Sequence, residues 1–419
     1  MGEGALFVAQ SGGPTSVINS TLAGIIAAAQ KKREIEGIYG LLHGLEGALR
    51  GEIIYLDNLR QEELERLAVT PGAILGGSRY HLREEDLDKI ASFLIHHKCR
   101  YLLLIGGNGT METCLRLQRV MQQKKAEVEI VGVPKTVDND LVETDHAPGY
   151  LSAARYVALA VRDQLMDLES MSRFEQVRII ETMGRSVGWL AAASFLAVDP
   201  INVCYPIFIP EVPLDEDEFL SFIDKIYRQQ GFALAVIGEG VIDKQGQPLG
   251  IQPFNDMDKE KGCHVVRTGA AENLARLVTE RLGLRARAQV LGMNQRSFST
   301  CVSSVDREEA YEVGRAAVEL ALQGGGGNMI TLQREGCLSK TGFVSLERVA
   351  GAERKLPLEF YDSANKKVTP KFVEWIMPLV GELGPSYLYR GEIMRFFSWR
   401  RENQEIAWCG GINLWPELG

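Results

Sequence analysis

No two of the seven cysteines in this 419-residue chain stand in C-x-x-C spacing. Zinc-finger and paired-thiol chemistry are thereby excluded, and scattered free thiols fit a reducing compartment. No apolar run approaches the roughly 20 residues that cross a bilayer, and the N-terminus lacks a charged stretch followed by a short apolar one. The expectation is a cytoplasmic protein without a membrane partner. No basic stripe is present and the formal net charge is −9, which argues against a nucleic-acid partner. Any anionic ligand must then be held by a few local Arg and Lys residues. Neither G-x-G-x-x-G nor G-x-x-x-x-G-K-[ST] occurs, which removes the main support for a dinucleotide-binding oxidoreductase or a P-loop protein. Fixed-period repeats and low-complexity tracts are absent as well.

What is present is an ordinary globular composition, 45% hydrophobic and 24% charged, in a chain long enough for two domains. Short apolar runs alternate with helical patterns throughout, so the class is α/β. Residues 5–10 read as a strand, Ser11-Gly12-Gly13-Pro14-Thr15-Ser16 as a loop, and residues 17–30 as a helix. Residues 101–105 form the clearest buried strand, followed by Gly106-Gly107-Asn108-Gly109-Thr110 and a helix to about residue 123. A Gly-rich loop entering a helix turns backbone N–H groups toward a phosphate. Long helices are also expected over 150–168, 215–229, 268–282 and 306–323. Strands are expected over 176–182, 232–237, 288–291 and 329–332. The last eighty residues, broken by Pro357, Pro370, Pro378 and Pro385, carry little pattern.

The densest chemistry follows the apolar run at 130–133, in Val133-Pro134-Lys135-Thr136-Val137-Asp138-Asn139-Asp140. Asp138 and Asp140 lie two apart, so in an extended loop both can face one cleft. An acid pair beside a lone lysine suits proton abstraction next to an anionic group. A plain Asx turn before a helix explains the same letters. Leu75-Gly76-Gly77-Ser78-Arg79 adds an arginine on a glycine turn. Three such loops at strand C-terminal ends mark the edge of an open α/β sheet where ligands bind.

Taken in order, Gly106 to Thr110, Pro134 to Asp140, Met183-Gly184-Arg185, Gly238-Glu239-Gly240 and Leu291 to Arg296 resemble the motifs of the phosphofructokinase family, from about residue 5 to 335. The resemblance implies two Rossmann-like three-layer α/β domains with the active site in the cleft between them. It divides the chain into a phosphoryl-donor domain, 1–149 plus about 298–335, and a sugar-phosphate domain, 150–297 plus about 336–419. It implies a homodimer or homotetramer and Mg²⁺ as cofactor. Asp138 would take the proton from the 1-hydroxyl of fructose 6-phosphate, and Thr136 and Asp140 would orient the sugar and the transferring group. Arg79 would stabilise the phosphoryl group in flight. Met183, Gly184, Arg185 and Glu239 would hold the sugar, and Arg296 and Arg287 its 6-phosphate. Arg287 in the family typically comes from a neighbouring subunit. Gly12, Gly13, Gly107, Gly109 and Thr110 would receive the donor, and Asn108 stands where many members carry a Mg²⁺-associated aspartate.

The donor is pyrophosphate or ATP. Lys135, the Ser11 to Asn19 segment and Pro378-Leu379-Val380-Gly381 resemble the pyrophosphate group; Gly109, in place of a blocking aspartate, leaves room for ATP. The balance falls to pyrophosphate. Met293 replaces a common His or Tyr. Gln176 stands where a phosphate-binding arginine is common, flanked by Arg173 and Arg178, which bears on the acceptor: a different sugar phosphate, such as sedoheptulose 7-phosphate, is the alternative. A non-catalytic sugar-phosphate-binding regulatory subunit is the competing class. His96-His97 reads as a helix C-terminus, His146 as a structural or cleft-lining histidine, Asp215 to Glu218 as a helix start, and Cys114 and Cys204 as packing residues.

Overall fold

The computed structural model describes residues 4–78, 80, 82–198, 204–250, 269–336, 338–385 and 387–389, with the backbone of 400–401 and 404–405. Strands are numbered along the chain: β1 (Gly4–Gln10), β2 (Ile35–Leu41), β3 (Ile53–Tyr55), β4 (Cys99–Gly106), β5 (Glu129–Pro134), β6 (Val177–Thr182), β7 (Ile207–Phe208), β8 (Ala233–Gly238), β9 (Ala286–Val290), β10 (Asn328–Glu335) and β11 (Leu338–Ser345). Uninterrupted apolar stretches such as Tyr101-Leu102-Leu103-Leu104-Ile105 cannot leave one face wet, so they become central strands covered on both sides. The larger sheet runs β11-β10-β5-β4-β1-β2-β3, parallel through its centre with antiparallel pairs at both edges. Two apolar clusters cover its faces, one built on Leu102, Leu104 and Met111, the other on Leu103, Ile105 and the helix Ile18–Ala29.

That helix is buried at all twelve positions and packs against the helix Ser304–Leu322. The two backbones approach so closely that a Cβ on Gly24 would lie 2.1 Å from the Tyr311 carbonyl oxygen, and one on Gly314 2.1 Å from that of Thr21. Only glycine fits at either position.

The smaller sheet, β7-β8-β6-β9, is wholly parallel. The chain reaches it through the helix Tyr150–Met171, whose start is held by the buried Asp306 carboxylate. Asp306 accepts from Gly149 N–H (2.8 Å), Ser152 N–H (3.0 Å) and the Ser152 hydroxyl (2.5 Å). Around Tyr150 and Trp189 gather Phe360, Phe372 and Trp375 in a ring-on-ring cluster. The helix Pro370–Val380 is thereby fastened to the middle of the chain; Ser303 Oγ donates to the Leu379 carbonyl at 2.7 Å.

Most of the expected elements are present within a few residues. The two-sheet α/β architecture matches the expected class. Three differences have physical reasons. The stretch after residue 335 does not leave the larger sheet: β11 pairs with β10 from Glu335↔Leu338 to Asn328↔Ser345, through a turn with Gly336 at φ 63°. The boundary expected at about 335 therefore falls inside a hairpin. The proline-bounded connection after Pro206 contains β7, because Ile207 and Phe208 pair with Val236 and Ile237. In the weakly patterned tail, Pro378 sits inside the helix Pro370–Val380. Among the described residues no helix is long and apolar enough to cross a membrane.

Candidate active site

Parallel strands end on one side of their sheet, and the loops leaving that side carry the polar side chains. From the larger sheet come the loops after β1, β4 and β5. Lys135 leaves the end of β5 and donates from Nζ to the Gly13 carbonyl (2.6 Å), bridging the first loop to the third. Gly12, at φ 74°, lies against it: a Cβ there would stand 3.5 Å from Nζ, and one on Gly107 3.5 Å from the Lys135 carbonyl. Thr110 is buried and its N–H returns to the Gly107 carbonyl at 2.9 Å, closing the first turn of the helix Asn108–Gln123. A Cβ on Gly109 would meet nothing within 4 Å, so packing does not require glycine there.

The acid pair is held by short-range hydrogen bonds. Thr136 Oγ1 donates to Asp140 Oδ1 (2.8 Å) and accepts from Asp138 N–H (3.1 Å), while Asn108 Nδ2 donates to Asp140 Oδ2 (3.0 Å). Asn139 takes the left-handed conformation at φ 57°, and its Oδ1 accepts from Ala147 N–H at 3.2 Å. Both oxygens of Asp140 are thus partnered, whereas Asp138 keeps a buried Oδ1 with no partner, as does Asn108 Oδ1. Burial pushes the Asp138 carboxyl up to about 7; the Asp140 charge adds to this, and Arg185 and Lys135 oppose it. Burial also pulls the Lys135 ammonium down to about 8, with Asp140 and Asp138 as the opposing charges. A carboxyl and an ammonium poised near neutrality in one cleft suit proton removal beside an anion.

The smaller sheet supplies the opposite wall. Arg185, at φ 49°, follows Gly184 (φ 141°) after β6, and its N–H donates to Glu239 Oε1 at 3.0 Å. The approach of the two loops is so close that a Cβ on Gly240 would lie 1.3 Å from the Arg185 carbonyl oxygen. Burial raises the Glu239 carboxyl, against the pull of the Arg185 and Gly184 N–H groups. Met183 N–H donates to Oε1 of the buried Gln295, which fixes the loop that ends in Arg296. Arg185 and Glu239 both act on the Asp138 charge, and Arg185 and Arg296 on that of Lys135, so the two walls meet around one pair.

Of the expected residues, one is not described and one lies away from this cleft. Arg79 falls outside the described residues. Arg287 sits on β9, the sheet's edge strand, with an exposed side chain whose Nε is 3.5 Å from Glu175. Arg354, which the sequence did not flag, and His146, which it read as structural or cleft-lining, complete the surroundings. Arg354 donates its N–H to the Asp140 carbonyl (2.8 Å) and stacks its guanidinium 4.5 Å from the Trp189 ring centroid. His146 is fully buried, with Nδ1 2.9 Å from Asp145 and Nε2 2.6 Å from Glu309. Asp145 is its chain neighbour, but Glu309 comes from the helix Ser304–Leu322, 163 residues away, which local spacing cannot reveal.

Two α/β sheets, one wholly parallel and the other parallel through its centre, with the loops at their strand ends closing on a buried carboxylate and flanking cations, suit a phosphotransferase of the two-lobed α/β kind. Residues 5–321 match the family model described as phosphofructokinase, and the chain belongs to that family. It is 35% identical over 89% of its length to a sulfofructose kinase of Alkalicoccus urumqiensis, covering 95% of that protein. It is 34% identical to a pyrophosphate--fructose 6-phosphate 1-phosphotransferase of Rhodospirillum rubrum, over 91% of this chain and 95% of that one. The solved structure of a pyrophosphate-dependent phosphofructokinase from Nitrosospira multiformis superposes with a TM-score of 0.81 at 32% identity, covering 92% of this chain and 94% of that one.

Proposed function

We propose that the protein transfers a phosphoryl group from pyrophosphate to the 1-hydroxyl of fructose 6-phosphate. The observation that carries this reading is Asp138, buried and raised to about 7 with an unpartnered Oδ1, beside Lys135. Asp138 takes the hydroxyl proton as O1 bonds to phosphorus. The bond from phosphorus to the bridging oxygen breaks, and inorganic phosphate leaves with the electron pair. Lys135 and the N–H groups at the start of the helix Asn108–Gln123 hold the donor's charge, and Arg185, Glu239 and Arg296 hold the acceptor. The larger sheet is then the donor half and the smaller one the acceptor half.

Mg²⁺ fits this cleft in a limited way. Asn108 Oδ1 and Asp138 Oδ1 are buried oxygens without partners, and no group of three His, Cys, Asp or Glu side chains gathers for a metal among the described residues. A cation held by one or two protein oxygens and completed by phosphate is the usual magnesium arrangement. When bound, it would neutralise charge on the phosphates. The exposed edge strand β9, with Arg287 on it and Val290, Met293 and Phe298 exposed beside it, supports a homodimer or homotetramer in which Arg287 reaches a neighbour's cleft. ATP is the second reading for the donor, favoured by the open space beside Gly109. The acceptor's C6 anion is a phosphate in one relative's name and suggests a sulfonate in another's.

The test is Asp138→Asn. Removal of a general base lowers turnover by about 10²–10⁴-fold, with fructose 6-phosphate binding by calorimetry nearly unchanged. Retention of most of the rate would remove Asp138 as the base.

A further inference from the structure

Near residue 350 the chain crosses from one half of the molecule to the other. Leu346 and Val349, in the short helix Leu346–Val349, are buried in a cluster on the larger sheet, and Leu356 is buried in the cluster around Trp189. The residues between them touch both walls of the cleft. On the larger-sheet side, Arg354 N–H donates to the Asp140 carbonyl at 2.8 Å, and the Arg354 guanidinium donates to the Asp145 carbonyl. One residue therefore grips the loop after Asp138 at two places. On the smaller-sheet side, the same guanidinium lies 4.5 Å from the Trp189 ring centroid, and Trp189 Nε1 donates to the Arg354 carbonyl at 3.2 Å. The Ser186 hydroxyl donates to Glu353, and Glu211 Oε1 accepts from both Gly188 N–H (3.0 Å) and Leu356 N–H (2.8 Å). Ser186, Gly188 and Trp189 belong to the stretch that follows Met183-Gly184-Arg185. The gripped loop needs outside support, because Asn139 and Glu143 take left-handed conformations at φ 57° and 64°.

We propose that Arg354 is a positioning residue for phosphoryl transfer, which fixes the Asp138–Asp145 loop against the Arg185 loop and so presents the base to an acceptor held on the opposite wall. The inference rests on the phosphotransferase reading above. Arg354 touches neither substrate nor the reacting atoms; it acts through the backbone that carries Asp138. Transfer between groups held on two separate walls depends on their spacing, and a misplacement of about 1 Å costs about 100-fold in rate. A planar guanidinium that stacks on one wall and donates to the other sets that spacing in a way that a lysine cannot. Glu211 does the same work from the other end of the crossing, since one carboxylate oxygen joins the Arg185 loop to Leu356.

The experiment measures turnover of fructose 6-phosphate by the full-length protein with pyrophosphate and with ATP, at fixed free Mg²⁺ and from about pH 5 to about pH 9. Arg354→Met keeps the stem and removes the fork. With whichever donor works, kcat is expected to fall about 10- to 100-fold while KM for the sugar stays within about twofold, because Arg185 and Glu239 remain paired on their own wall. Burial is the main cause of the raised Asp138 carboxyl, and Asp140, Arg185, Glu239 and Lys135 are the charges that act on it. The substitution alters none of these, and a loosened loop admits water, so the acid limb of kcat/KM is expected to move down by about one pH unit. Loss of a cation alone would move that limb up, and a merely structural role would leave it in place. Glu211→Ala is expected to lower kcat in the same way, and Glu211→Gln, which keeps an acceptor oxygen, to restore it to within about threefold. If Arg354→Met does not fold, this pair decides. Wild-type kcat in Arg354→Met, or an acid limb that stays or moves up, overturns the positioning role and leaves the phosphotransferase reading standing, as does Glu211→Ala at the wild-type rate. Silence of the wild type with both donors overturns that reading and the inference with it.

Discussion

The opposed titrations of Asp138 and Lys135 predict a narrow bell in the pH dependence of kcat/KM, which reports the free enzyme. The proposed reaction has Asp138 ionised, with its carboxyl at about 7, and Lys135 charged, with its ammonium at about 8. The productive form is most populated between those two values and is lost on either side of them. Lys135→Met removes the group responsible for the alkaline limb, so that limb disappears. Because Lys135 is among the charges that hold Asp138 down, the acid limb moves above its wild-type position. Loss of a buried charge-assisted contact to the donor lowers kcat/KM for pyrophosphate by roughly 10- to 100-fold. The assay is bisphosphate formation coupled through aldolase, run from pH 6 to 9 on both proteins at fixed free Mg²⁺. A flat wild-type profile, or an alkaline limb that survives in Lys135→Met, would refute the assignment of these two groups.

Two further predictions concern the frame around that pair. Burial alone would lower the His146 imidazole, but its hydrogen bonds to Asp145 and Glu309 outweigh that and raise it to about 9. A raised folded-state pKa gives stability that is complete below about 6.5 and is lost as pH rises through 9, here up to about 3 kcal/mol. Thermal unfolding should therefore show Tm falling between those pH values; His146→Gln should flatten that slope and lower Tm at pH 6.5, and an unchanged slope would count against the charged imidazole. Gly240→Ala places a Cβ 1.3 Å from the Arg185 carbonyl oxygen. It should raise KM for the sugar by tenfold or more, read from initial rates, whereas wild-type kinetics would mean that the loops are not packed as described.

Strands such as β4 are legible because an unbroken apolar run has one stable place in an α/β protein, and the glycine loops after β1 and β4 punctuate the chain where strands end. The acid pair of the β5 loop was legible as a cluster beside a lysine, since Lys135, Asp138 and Asp140 lie within six residues. The support for that loop was not. Arg354 reaches Asp140 from the weakly patterned tail, Glu309 meets His146 from a helix 163 residues away, and Trp375 donates to Asp145 at 3.1 Å across 230 residues. Contacts of that range leave no local periodicity to read. Proline misled in the tail for a related reason. Pro378 falls late in the helix Pro370–Val380, where the packing of Phe372, Trp375 and Ile376 on the Tyr150–Trp189 cluster outweighs the lost hydrogen bond. The electrostatic state of Arg178 was equally hidden, because its carboxylate partner Asp167 is eleven positions away on a helix turned toward β6.

Turnover of fructose 6-phosphate with Mg²⁺, measured in parallel with pyrophosphate and with ATP, tests the proposed reaction most directly. With Lys135, bridged to Gly13, holding the donor as proposed, fructose 1,6-bisphosphate is expected from pyrophosphate with equimolar release of inorganic phosphate, and little or none from ATP. Product from ATP alone would contradict that account and make the open space at Gly109 the feature that selects the donor.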